Sequence, residues 1–216
     1  LFVFVLTSTN HPPYDLPSDY QRVPRDMALW KGETSAGELL RLNLDSYHYA
    51  ADLLGGFVQE MQSGPHKNDT LIAATGDHNV RSFGIYAEAQ RRYLLRKVPF
   101  VIWGQGLACG EQQALPASHR DMFSTLLPLA GISGPYVNAG RNLLKSVGDK
   151  PAPIDAPRAM FFTGEARNAQ GMWQLGQPNT FVCTSANPSV QNCQFNAQDD
   201  QQERARYGLL DWNVRI

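Results

Sequence analysis

The sequence has no long apolar run, no excess of one charge and few cysteines. Its longest apolar segments, Leu1 to Leu6 and Val98 to Trp103, are far shorter than the roughly 20 residues that a membrane-spanning helix needs. Its 19 Lys and Arg residues nearly balance its 20 Asp and Glu residues, so charge gives no reason to expect a nucleic acid as partner. With 216 residues, 43% of them hydrophobic, the chain is long enough for a substantial core.

The three cysteines allow at most one internal disulfide. Cys183 and Cys193 flank the turn-rich segment 184–189, which can fold back and bring the two thiols together. A disulfide there implies an oxidising compartment, whereas the alternative is two unpaired thiols in a cytosolic loop. Cys109 is left over in either case.

The chain begins without Met and directly inside a strand-like run, and no signal-peptide pattern precedes it. We therefore expect a fragment or a processed piece of a longer protein. Residues Leu1 to Thr7 are continuously apolar up to Leu6, which predicts a buried strand that ends in a polar cluster containing His11. Residues 14 to 40 contain Pro and Gly with little periodicity, which predicts a long loop.

The next 90 residues alternate between helical and strand-like patterns. Apolar spacing predicts helices from about Asn43 to Gln62 and from Ser118 to Ala130, the second ending at Gly131. Strands are predicted from Thr70 to about Thr75 and from Val98 to Trp103, and a basic helix or turn lies between them. This alternation indicates an α/β sheet covered by helices.

After about residue 147 the pattern changes. A Pro-rich linker precedes three short predicted strands, Met160 to Thr163, Met172 to Leu175 and Thr180 to Cys183, and a helical segment from Asp199 to Trp212. We expect residues 1–147 to form the main domain and residues 148–216 to form a small, mainly antiparallel appendage packed on it.

Two adjacent residues that can bind a metal follow the predicted strand that ends at Thr75. Asp77 offers a carboxylate oxygen and His78 an imidazole nitrogen, a mixture that suits Zn²⁺ or Mn²⁺ better than Ca²⁺. The alternative is a strand-end turn in which the Asp caps backbone amides. His11 follows another predicted strand and is a candidate for the same cleft. His119 opens a helix, where it would either contact a bound phosphate as a neutral ring or serve as a cap or surface residue.

The order of these motifs resembles the C-terminal half of the lipoteichoic acid synthase-type phosphoglycerol transferases, which belong to the alkaline phosphatase and sulfatase superfamily. The resemblance covers residues 1 to about 145. It rests on the Thr-Asn-His-Pro-Pro-Tyr turn at 9–14, the Thr-Gly-Asp-His step at 75–78, the Val-Pro-Phe strand at 98–100 and the run from Asp121 to Ile132.

The resemblance implies an alkaline phosphatase-like fold with a mostly parallel sheet between helices. It implies that Asp77 and His78 bind one divalent cation, Mn²⁺ or Mg²⁺, and that His11 contacts the substrate phosphate. The family's nucleophile is a threonine upstream of the Asn-His-Pro strand, and no residue of this chain matches it. The chain is therefore expected to hold half an active site and to be inactive alone.

For the full-length protein, the resemblance implies transfer of a phosphoglycerol group from a lipid-linked donor to a glycan or polyglycerol-phosphate acceptor. It also implies an extracytoplasmic location, with anchoring by an N-terminal membrane region that is absent from this chain. The competing hypotheses are a sulfatase or phosphodiesterase of the same superfamily and a non-catalytic binding module.

Overall fold

The computed structural model describes residues 1–30, 37–79, 89–107, 116–136, 140–144, 158–160, 163–184 and 193–215. Two compact units are present: unit 1 comprises Leu1–Ala87 and Lys97–Ala108, and unit 2 comprises Glu88–Arg96 and Cys109–Ile216. The predicted domain boundary near residue 147 and the leftover Cys109 lie outside the described residues, so both remain predictions.

Unit 1 contains one long helix and one pair of strands. Its elements are a 3-10 helix Met27–Trp30, helix α1 (Gly37–Ser63), strand β1 (Ile72–Thr75) and strand β2 (Phe100–Trp103). Unit 2 contains a 3-10 helix Ala89–Arg96, helix α2 (Arg120–Leu129), the strands β3 (Ala159–Met160), β4 (Glu165–Arg167), β5 (Gly171–Gln174) and β6 (Gln177–Cys183), and helix α3 (Ala197–Arg215). Within these ranges, no helix combines the length and apolarity that crossing a bilayer requires.

Helix α1 begins six residues before the predicted start at Asn43. Asn43 lies inside the helix and is buried, as are Asp45 and Ser46. These three polar side chains form the face that contacts the preceding loop. The predicted end is confirmed, and there the hydroxyl of Ser63 donates to the carbonyl of Gln59 over 2.8 Å.

Strands β1 and β2 confirm the two predicted strand positions but pair antiparallel. Ile72 faces Trp103 at one end of the ribbon, and Thr75 faces Phe100 at the other. The expectation of a mostly parallel sheet is therefore corrected for the described strands, all of whose pairings are antiparallel. The apolar pattern gave each strand but not its direction, which depends on how the intervening chain returns.

The predicted buried strand from Leu1 to Thr7 is also corrected. These residues form no strand in the structure, and the six side chains from Leu1 to Leu6 are between 67% and 120% exposed. A strand is stabilised by hydrogen bonds to a neighbouring strand, and the apolar pattern of one segment does not encode such a partner. Its apolar composition remains a sign that it is suited to burial.

Unit 2 contains the predicted antiparallel sheet, in the order β3-β4-β5-β6. Trp173 is 2% exposed and packs near Phe181 and Phe195, with ring centroids 6.3 and 6.0 Å away. Its indole nitrogen donates to Asp200 of α3 over 2.9 Å, which ties the helix to the sheet. Strand β4 was not predicted, because its sequence Glu-Ala-Arg has no strand signal of its own.

Helix α2 lies within the predicted range and stops as predicted. Gly131 has φ 71°, and the backbone amide of Ile132 donates to the carbonyl of Leu127 over 3.0 Å. The left-handed conformation of Gly131 lets backbone amides after the helix donate to carbonyls of the last turn that have no partner within the helix. His119, not Ser118, is the residue at the N-cap, and it makes no side-chain cap hydrogen bond.

Candidate functional site

Asp77 and His78 lie just after the end of β1, as the sequence predicted. Their side chains are 76% and 59% exposed, so both are accessible to a ligand. The backbone amide of His78 donates to Oδ1 of Asp77 over 2.8 Å, which fixes that carboxylate beside the histidine. Gly76 permits this turn to lie close to the segment before β2, because a Cβ there would be 3.3 Å from Cγ1 of Val98.

The atoms of this pair fit a divalent cation as two of its ligands. Oδ2 of Asp77 lies 3.5 Å from Nε2 of His78, longer than an ordinary hydrogen bond. Metal bonds from carboxylate oxygen and imidazole nitrogen are about 2.0–2.2 Å long, so one ion can contact both atoms. Nδ1 of His78 lies 3.1 Å from the carbonyl of Asn79. A proton on Nδ1 leaves the lone pair on Nε2, the tautomer that metal-binding histidines use.

The pair does not form a complete metal site within the described residues, where no group of three His, Cys, Asp or Glu side chains could hold an ion. Two protein ligands do not close a coordination shell, since zinc sites, for example, have three or four. Further protein ligands must therefore come from elsewhere if the pair binds a metal tightly.

His11 lies in an exposed turn of unit 1, the same unit as Asp77 and His78. Its backbone amide donates to the carbonyl of Ser8 over 3.1 Å, and its own carbonyl accepts from the amide of Tyr14 over 3.0 Å. Nδ1 of His11 is 2.9 Å from the carbonyl of Pro12. A proton on Nδ1 satisfies that carbonyl and directs Nε2 to any bound ligand.

Helix α1 anchors the His11 turn through two buried polar residues that sequence analysis did not assign to the site. The amide of Asn43 donates to Oδ1 of Asn10 over 3.0 Å, and the hydroxyl of Ser46 donates to the carbonyl of Thr9 over 2.6 Å. Ser46 is fully buried. The sequence did contain a signal for these contacts. Asn43 and Ser46 are three residues apart and share one helix face, and polar residues on a buried face need hydrogen-bond partners.

His119 belongs to unit 2 and is exposed. The neighbouring Asp121, which the motif comparison singled out, has a structural role. It is 1% exposed and accepts from the backbone amides of Ser118 and Arg141, each over 2.9 Å. Asp121 therefore fixes the first turn of α2 against the segment at Arg141.

Cys183 and Cys193 are joined by a disulfide in the structure, with their Cα atoms 6.0 Å apart. The bond connects the end of β6 to the segment before α3. Cys183 pairs in register with Gly171 of β5, so the bond attaches that segment directly to the sheet.

Comparison with known proteins gives a similar structure and a matching family. A structure with a similar fold is the lipoteichoic acid synthase LtaP from Listeria monocytogenes, with a TM-score of 0.67 and 19% sequence identity. The match covers 96% of this chain and 52% of LtaP, so the chain spans about half the length of that enzyme. This likeness confirms the predicted alkaline phosphatase-like fold class. The sulfatase family model matches residues 1–132, well over half of the chain, and the chain therefore belongs to the sulfatase family.

Proposed function

We propose that the full-length protein containing this chain is a metal-dependent transferase. It would move a phosphoglycerol-type group from a phospholipid donor to a glycan or polyglycerol-phosphate acceptor. The observation that carries the proposal is the Asp77 and His78 pair, which presents two metal-binding atoms at a strand end in a sulfatase-family chain. The likeness to a lipoteichoic acid synthase, which shows the fold, supports the choice of phosphoglycerol transfer over other reactions.

In this proposal the described residues bind and orient the donor. Oδ2 of Asp77 and Nε2 of His78 would hold one divalent cation, Mn²⁺ or Mg²⁺, with Zn²⁺ as a further option. Such a cation would supply polarisation of a phosphoryl oxygen of the substrate. His11, neutral or protonated, would stabilise charge on the phosphoryl oxygens, while the contacts of Asn43 and Ser46 keep its turn in place.

The nucleophile of the proposed reaction is a threonine outside this chain, in the missing N-terminal half of the protein. The chain alone would then bind the cation weakly and would not turn over substrate. His119 remains a proposed secondary contact to the substrate, and an extracytoplasmic location with an N-terminal membrane anchor is part of the same proposal. The disulfide between Cys183 and Cys193 supports that location, because such bonds persist in oxidising compartments.

The substitution Asp77→Asn in the full-length protein tests the proposal. An amide is a poorer ligand than a carboxylate for a hard cation, so we expect Mn²⁺ affinity to fall at least about tenfold in titration calorimetry. We expect release of diacylglycerol from phosphatidylglycerol to fall by a factor on the order of 10²–10³, the usual cost of removing one electrostatic contact to a transition state.

Asp69→Asn is the matched control, because Asp69 is an equally exposed carboxylate in the turn before β1. It should change neither measurement. Phosphate monoesters and sulfate esters are assayed in parallel with the phospholipid. Faster hydrolysis of sulfate esters than of the phosphodiester would establish the sulfatase alternative. Cation binding without turnover of any substrate would establish the binding module.

A further inference from the structure

A groove of about 250 Å³ lies in unit 1 at the far end of the β1 and β2 ribbon from the candidate metal site. Ile72 and Trp103, which face each other across the ribbon, contribute to its lining, whereas Asp77 follows the opposite end. Asp77 is five positions after Ile72 in the sequence, which corresponds to about 16 Å of extended chain. The groove is therefore a separate place on the molecule.

The polar side chains of this groove are mostly neutral amides. Three of them, Gln62, Asn68 and Gln105, line it together with one charged residue, Lys67. Within the described part of the chain these amides have no side-chain hydrogen-bond partner, so their donors and acceptors are available to a ligand. No carboxylate lines the groove. This set of groups does not suit a metal ion, and one ammonium is a small charge for a polyanion.

The rest of the lining consists of Thr70, Gly104 and three apolar side chains. Trp103 is half-buried and offers an aromatic surface, with Met61 and Ile72 beside it. An aromatic surface next to convergent amides suits a ligand that has one apolar face and a rim of hydroxyl groups. Each amide both donates and accepts, as a hydroxyl does, so amides match hydroxyl groups better than ions do.

Backbone turns hold both walls of the groove. On one side the amide of Lys67 donates to the carbonyl of Gly64 over 3.3 Å, and on the other the amide of Leu107 donates to the carbonyl of Gly104 over 3.3 Å. A Cβ on Gly104 would lie 2.8 Å from Cδ1 of Leu71, so a side chain there would displace the end of Leu71. The walls are thus fixed by the local fold before any ligand binds.

We infer that this groove binds a neutral sugar, with one face of the ring on Trp103 and its hydroxyl groups on the amides of Asn68, Gln105 and Gln62. The volume of about 250 Å³ lies below the roughly 300–1,000 Å³ of drug-sized ligand pockets, which suits a ligand as small as one sugar unit. Its use as a remote subsite for the glycan acceptor rests on the proposed function, whereas sugar binding itself does not.

The test uses the full-length protein with glucose and maltose as probes, observed by saturation-transfer NMR and by tryptophan fluorescence. We expect saturable binding and a shift of the fluorescence that Trp103→Phe removes. Asn68→Ala and Gln105→Ala, both at exposed positions, should each weaken binding about fivefold, as loss of one hydrogen bond does. Gln59→Ala, an exposed amide elsewhere on α1, is the matched control and should leave affinity unchanged.

Several outcomes would overturn the inference: no saturable binding of either sugar, affinities unchanged in the Asn68 and Gln105 variants, or equal binding of glycerol, which lacks a ring face. Asp77→Asn separates this inference from the proposed function, because it should leave sugar binding intact. Sugar binding combined with full phospholipid cleavage by Asp77→Asn refutes the proposed function alone. Loss of cleavage in Asp77→Asn without any sugar binding refutes the groove alone.

Discussion

Glu203 is the most strongly constrained charged residue of unit 2. Its side chain is fully buried and accepts from Nη1 of Arg120 over 2.6 Å, from Nε of Arg158 over 2.9 Å and from Nη1 of Arg206 over 3.1 Å. Arg120 and Arg158 are themselves 7% and 3% exposed. One carboxylate therefore balances the charge of several buried or partly buried cations. These ion pairs join α2, the start of β3 and α3.

We predict that Glu203→Gln lowers the free energy of unfolding by about 3–5 kcal/mol. Gln keeps the shape but removes the charge, and breaking a buried ion pair leaves buried guanidinium groups without compensation. Urea unfolding followed by circular dichroism measures the change. Glu60→Gln, an exposed position on α1, is the control and should stay within about 0.5 kcal/mol of the parent.

A loss below about 1 kcal/mol for Glu203→Gln would contradict this prediction. It would mean that Asp199, which lies 2.6 Å from Nη1 of Arg158, compensates the arginines by itself.

The 3-10 helix Ala89–Arg96 is attached to strand β4 by two charged contacts. Nη2 of Arg96 lies 2.6 Å from Oε2 of Glu165, and the guanidinium of Arg167 lies 4.0 Å from the centre of the Tyr93 ring. The pKa of Arg167 is lowered because burial partly removes its guanidinium from water. Away from water, an aromatic face stabilises a cation more strongly. These contacts belong to the element that follows the Asp77 and His78 turn in sequence.

A double-mutant cycle with Arg96→Gln and Glu165→Gln should give a coupling energy of about 1 kcal/mol. The two side chains are only 22% and 23% exposed, so solvent screens their attraction less than at the surface. Thermal unfolding of the four proteins measures it. The matched cycle is Arg41 with Glu38, where Arg41 lowers the pKa of Glu38 by hydrogen bonding but Glu38 is 69% exposed. A coupling for Arg96 and Glu165 no larger than in this exposed pair would refute the prediction.

Helices were predictable because the sequence pattern that indicates a helix is periodic and lies within the helix itself. Apolar spacing predicted α1 and α2, acidic residues early and arginines later indicated α3, and Gly131 gave the end of α2. The start of α1 was missed because the Pro and Gly residues between 14 and 40 favoured a loop. Strand β4 was missed because its stability comes from pairing with β3 and β5. Strand direction depends on the path of the chain between strands, which periodicity does not encode.

At the site, the proximity of Asp77 and His78 was predictable because the two residues are adjacent in sequence and follow a strand. The support of His11 by Asn43 and Ser46 was not, since it depends on contacts between segments 33 to 37 residues apart. The sequence could therefore indicate which atoms are candidate cation ligands, but not what holds the neighbouring turn.

At the scale of the whole molecule, the segment Leu1 to Leu6 is apolar and yet exposed. Six consecutive apolar side chains face solvent, and burying each of the larger ones stabilises a protein by about 1.5–3 kcal/mol. The segment leads directly into the His11 turn, so its position affects the proposed phosphate contact. Because these side chains are exposed and apolar, we propose that further residues of the full-length protein cover them.

We predict that in the full-length protein the backbone amides of residues 2 to 6 exchange with solvent deuterium at least about 100-fold more slowly than in an unfolded chain. Pairing within a sheet protects amides, and the apolar composition of the segment favours such burial. Hydrogen exchange read by mass spectrometry measures the protection, with β1 as the paired reference and the exposed turn at 66–69 as the unprotected one. Exchange of residues 2 to 6 as fast as the turn would show that the segment stays unpaired and that further residues of the full-length protein do not cover it.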